Sequence, residues 1–189
     1  MNADLLVYQA KAFYNAYIAL DQLSRDDSDT LLLLFAPLVV NGAFSVELAL
    51  KAILAKNQIE YGKEHNLLIL FQMLPKSFQQ ELWAYLIEKA PEYAGSEKGL
   101  DELILLSNAF VDWRYAFEGK PVPAIESRFL AAFANAAVHT MFSYYNADLL
   151  SATKTESNNE IEQRFHENRE KCKEINLKMI QKKTKEHQL

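Results

Sequence analysis

Three short stretches of this 189-residue chain carry side chains able to hold a phosphate or move a proton. In "FVDWRYAFEGK", Phe110 to Lys120, one arginine stands among four large aromatics. A guanidinium there can stack on rings while its donors stay directed at a carboxylate or a phosphate. In "SVELALKAIL", Glu47 and Lys51 lie four apart with the acid first, so on a helix they face each other across one turn. In "YGKEHNLLILF", His65 stands just before a helical pattern, where an imidazole can cap amides or project into a cleft.

The spacing offers Arg114 two acidic partners, Glu118 one turn along the same helix and Glu47 from another. On that helix Phe110, Arg114 and Phe117 share a face, and Trp113 neighbours Phe117. Glu47, Lys51, Arg114, Tyr115 and Glu118 then form one polar cluster, either stapling helices or contacting a ligand. The stapling role is the expectation, because structural ion pairs outnumber functional ones. The candidates for catalysis are Arg114, His65 and His139, although His139, in "NAAVHTMF", reads first as a packed core or interface histidine. His166 and His187 read as solvated. No His-Glu-x-x-His helix, phosphate loop or nucleophile elbow is present, and neither a metal nor a cofactor is expected.

The elements that must position these groups read as helices. Leu6, Ala10, Phe13, Tyr17 and Leu20 make one stripe over residues 3–25. A second helix is expected from about Thr30 to Asn57, kinked at Pro37 or starting there, with "VVNGAFSVELALKAILAK" straight. "NLLILFQML" predicts a short helix closed by Pro75. "SFQQELWAYLIEKA" predicts another, with Ser77 as N-cap and Gln80 as its capping-box partner. One helix is expected from Leu100 to Glu118, ended by Gly119, and a last core helix over "AIESRFLAAFANAAVHTMFSYYNADLL". No alternating run long enough for a strand survives. The fold class is therefore all-α, an antiparallel up-and-down bundle.

From Ser151 the composition turns charged. Ile161, Phe165, Asn168, Cys172, Ile175, Met179 and Lys182 mark a heptad seam, so residues 153–189 are expected to form a charged C-terminal helix after a 1–152 bundle. That helix needs a partner protein, a second copy or the bundle itself to be stable. From Thr155 onward eight Lys or Arg meet seven acids, leaving the tail at +1, while the remainder, with 12 against 18, stands at −6. Such an acidic body is a poor non-specific binder of nucleic acid, so any RNA contact must be local. A lone cysteine, no signal-peptide pattern and an apolar run, "LLLLFAPLVV", half the length of a membrane span point to a cytoplasmic protein without a membrane segment.

Together, "SVELALKAIL", "GKEHNLLILFQMLP" and "FVDWRYAFEG" resemble the HEPN (higher eukaryotes and prokaryotes nucleotide-binding) family over roughly residues 3–150. The resemblance implies an antiparallel helical bundle that forms a homodimer and serves bacterial toxin–antitoxin, phage-defence or RNA-processing systems. Catalytic members of the family are metal-independent endoribonucleases with an Arg-x4-6-His motif. Here Arg114 is followed by "YAFEGKP", Arg128 stands too far from His139, and Arg164 too near His166. The expectation is a non-catalytic homodimeric module linked to RNA or a nucleotide. The alternative is an atypical endoribonuclease with Arg114 on the phosphate and His65 or His139 as acid–base.

Overall fold

The computed structural model describes residues 3–25, 28–94, 97–115, 118, 123–145, 170 and 174. The chain divides into two compact units, Met1–Ala147 and Asp148–Leu189. Of the second, Glu170 and Glu174 are described, both helical and exposed. The heptad positions Ile161 to Lys182 lie outside the described residues.

The first unit is an all-α helical bundle, and the described residues include no strand. Its helices are α1 (Ala3–Ser24), α2 (Ser28–Lys56), α3 (Leu67–Met73), α4 (Lys76–Lys89), α5 (Glu97–Leu106), α6 (Ala109–Arg114) and α7 (Ser127–Tyr145), with a 3-10 turn at Pro91–Tyr93. Helix α2 is the central rod, packed by α1, α3, α6 and α7. Its Val39, Ala43, Val46, Ala49, Leu50, Ala52, Ile53 and Leu54 are all fully buried. By length and composition Leu33–Lys56 would suffice for a membrane span. Its burial among four other helices makes it a core helix, whose apolar character serves packing.

Cross-helix contacts give the directions. Phe13 meets Phe44, so α1 and α2 run antiparallel, as their short connection requires. Phe78 packs on Tyr144 and Tyr85 on His139, which sets α4 antiparallel to α7. The Tyr145 hydroxyl donates to the Ala52 carbonyl, and a Cβ on Gly42 would lie 3.1 Å from Leu130, so α2 and α7 run parallel. The four long helices thus alternate in direction along the chain, with α5 and α6 inserted before the last. Gly42 allows this close approach: a Cβ there would also stand 3.0 Å from Tyr17 of α1.

Three expectations change in detail. Of the two alternatives at Pro37, a start of α2 there is excluded, since the proline lies inside the helix. Pro37 and Leu33 are both on the exposed side, where water can serve the carbonyl that proline leaves unpaired. Ser77 is not the N-cap of α4: Pro75 is, and its carbonyl accepts from the amides of Phe78 and Gln79. Gln79 instead turns back, donating to the carbonyls of Gln72 and Leu74 and so closing the end of α3. The expected helix from Leu100 to Glu118 is two helices, broken at Ser107–Asn108. At the break the Ser107 carbonyl accepts from the Leu67 amide at 2.8 Å, and Asn108 accepts from the Asn66 side chain. The start of α3 thus takes over a backbone carbonyl that a continuous helix would have used internally, and a side-chain bond reinforces the contact.

Candidate functional site

Glu47 and Lys51 sit one turn apart on α2, only 1% and 7% exposed. The Lys51 ammonium donates to Glu47 Oε1 at 2.7 Å. At this depth the pair is largely screened from water, so each charge depends on the other. The loop after α2 covers them. Helix α2 closes in a Schellman turn, with the Ile59 amide on the Leu54 carbonyl and the Gln58 amide on the Ala55 carbonyl. Gln58 takes the left-handed position with φ 58°, a place usually given to glycine. The turn reverses the chain, so that Tyr61 lies with its ring centre 5.4 Å from the Lys51 ammonium. Burial first, then the Glu47 charge, raises the Tyr61 phenol above its ordinary pKa.

Glu64 accepts from the amides of both His65 and Asn66, at 2.9 and 2.8 Å. Asn66 caps α3 by accepting from the Ile69 amide. This bracing sets His65 Nδ1 2.9 Å from Glu47 Oε1. An ionised carboxylate only accepts, so Nδ1 is the donor; in the neutral ring Nε2 is then left as an acceptor. The ring is half exposed, its side chain at 50%. Glu47 Oε1 therefore serves both Lys51 and His65, while Glu47 Oε2 is buried with no hydrogen-bond partner among the described residues.

Arg114 ends α6 and is exposed. Its guanidinium carbon lies 4.8 Å from the Phe110 ring centre and 4.7 Å from that of Tyr115. One of its nitrogens donates to the Tyr115 hydroxyl at 3.0 Å. Phe110 stacks on Phe44 of α2 at 4.3 Å, and its ring centre is 6.5 Å from that of His65. Phe110 is thus the common neighbour of the histidine and the arginine.

The residues singled out in the sequence therefore fall into groups. Glu47, Lys51 and His65 come together, and Arg114 and Tyr115 form a second group joined to the first through Phe110. The Glu47 carboxylate is occupied by Lys51 and His65 rather than by Arg114. Glu118 is exposed, and the chain has left the α-helix after Arg114, so the face that a four-residue spacing would give them is not formed. Phe117 lies outside the described residues. His139 stands apart on α7, exposed and stacked on Tyr85 at 3.9 Å, so it is not a packed core histidine. Tyr61, Glu64 and Asn66 were not singled out. The stretch "YGKEHN" did carry a signal, since an acid and an asparagine flanking a histidine before a helix are turn and cap formers. Among the described residues no group of three or more His, Cys, Asp and Glu is placed to hold a metal ion.

The first unit is thus an all-helical bundle with a buried charge pair on its central helix and an arginine held among rings at the end of α6. Residues 37–121 match the family model of the HEPN domain. The segment holds Glu47, Lys51, His65, Arg114, Tyr115 and Glu118, and excludes α1, α7 and His139. No curated protein and no solved structure matches the chain.

Proposed function

We propose that the protein is a non-catalytic binding and regulatory module for RNA or a nucleotide, acting as a homodimer in the cytoplasm within a bacterial defence or toxin–antitoxin system. The observation that carries this reading is that His65, half exposed, and Arg114, exposed, both neighbour the same Phe110 ring. A cation beside an aromatic suits a phosphate next to a base, with stacking that tolerates many sequences. The acidic body confines such binding to this rim and makes it sensitive to salt. The absence of a histidine five to seven positions after Arg114 supports a binding role over a catalytic one.

A second reading, a metal-independent endoribonuclease, is favoured by one feature. Glu47 holds His65 by Nδ1 on a half-exposed ring, which keeps Nε2 out of that bond, an arrangement suited to general acid–base work with Arg114 as the phosphate cation. Incubating the purified protein with mixed RNA in the presence of a chelator separates the two readings. The binding module retains RNA and leaves it intact. Cleavage that disappears in His65→Ala would establish the second reading.

A further inference from the structure

Helices α3, α4 and α5 border an open concavity of about 630 Å³, within the size range of small-molecule sites. Phe71, Trp83, Ile87 and Leu100 supply its apolar lining. The core behind holds the two rings in place. Phe71 lies 5.9 Å from Trp83 and packs edge-on against Phe133 of α7 at 6.2 Å. Gly99 lets α5 close on the indole, since a Cβ there would stand 2.9 Å from Trp83 Cζ2. Leu100, the next residue, borders the concavity and remains 47% exposed. An indole and a leucine left together at a concave surface mark a place where something binds.

Polar groups are few. Lys76 is the only charged residue among the described ones that line the concavity. Its ammonium donates to Gln79 Oε1 at 3.1 Å, and Gln79 is itself fixed by its bonds to the carbonyls of Gln72 and Leu74. An ammonium has three donors, so two are left for a ligand. We propose that the concavity binds a small planar aromatic carboxylate, with its rings against Trp83 and Phe71 and its carboxylate on Lys76. This site shares no residue with the Phe110 rim and does not depend on the RNA reading. One cation beside an apolar lining matches one anionic group on an aromatic body. A nucleotide fits less well, because its ribose and further phosphate charges would be set against Ile87 and Leu100 without partners. With the rings already packed in place, binding requires little ordering of the protein.

Calorimetric titration of the full-length chain with β-naphthoate, and with the uncharged β-naphthylmethanol as control, tests this. Two variants accompany the wild type, each checked for unchanged helix content by circular dichroism. Ala84 lines the concavity from an exposed position on α4, so Ala84→Phe fills the space without entering the core. The wild type is expected to bind β-naphthoate saturably, and Ala84→Phe to weaken both compounds about tenfold or more. Lys76→Gln is expected to weaken β-naphthoate about fivefold, as for an exposed charge pair, and to leave the alcohol unchanged. No saturable binding by the wild type, or equal affinity in Ala84→Phe, would overturn the inference. Equal losses of acid and alcohol in Lys76→Gln would overturn the carboxylate assignment. A light-scattering mass of two chains that falls to one in Ala84→Phe would give the concavity to a second copy and would likewise overturn it.

Discussion

At the scale of the residue, the buried pair on α2 is the most constrained feature of the site. Glu47 and Lys51 are both nine-tenths or more buried and bonded at 2.7 Å, so removing one leaves the other charged in the core. Lys51→Met should cost about 3 kcal/mol, the lower end for a broken buried pair, because His65 still contacts Glu47. Replacing both residues, as Glu47→Gln with Lys51→Met, should cost less than Lys51→Met alone. Urea unfolding of the wild type, Lys51→Met, Glu47→Gln and the double variant measures this, and additive losses would contradict the pairing. Arg114 is different in kind. Exposed and resting on rings, its replacement by alanine should cost about 0.5–1 kcal/mol, the value of an exposed cation–aromatic contact. Its type and aromatic company were legible in the sequence, but its partner was not. The spacing to Glu118 presumed a helix that stops at Arg114, and Glu47 was already engaged by a histidine 18 residues away.

At the scale of the element, local rules account for most of the helices and fail where another element intervenes. The stripes of α1 and α7 and the closure of α3 before Pro75 follow from periodicity and proline chemistry. The break between α5 and α6 does not, because its cause is the Leu67 amide reaching the Ser107 carbonyl from 40 positions away. Likewise, the turn that delivers His65 to Glu47 depends on Gln58 in a left-handed conformation, with no glycine to announce it. Two substitutions probe this turn from opposite sides. Gln58→Gly should stabilise the protein by about 0.5–1 kcal/mol by relieving the positive φ. Asn66→Ala should destabilise it by about 1–2 kcal/mol, since it removes both the cap of α3 and the bond to Asn108. Thermal melts suffice, and a Gln58→Gly protein that melts below wild type would count against the turn as described.

For the whole molecule, buried tyrosines join the helices and make the fold sensitive to alkali. Burial first, then Asp4 and neighbouring phenols, pushes Tyr145 up to about 12, and its hydroxyl bonds the Ala52 carbonyl. Burial likewise raises Tyr17 and Tyr93 well above the ordinary range. A tyrosine whose pKa is higher folded than unfolded contributes stability that is complete below the unfolded value of about 10 and lost as pH rises through the folded value. Raising the pH past about 10 should therefore weaken the fold, with tyrosinate absorbance and loss of helical signal appearing together. Ionisation of these tyrosines near pH 10 with the helices intact would contradict their burial. The all-helical class was legible from composition and the scarcity of glycine and proline. The division of labour between α2 as core and the rim at Phe110 was not, because it arises from contacts across the bundle.

The measurement that tests the central claim most directly is a titration of the full-length protein with a fluorescent single-stranded RNA in chelator, for wild type, Arg114→Ala and His65→Ala. The account predicts saturable, salt-dependent binding by wild type, a loss of about tenfold or more in each variant at nearly unchanged stability, and intact RNA throughout. Equal binding by all three proteins, or none by a well-folded wild type at any salt, would contradict it.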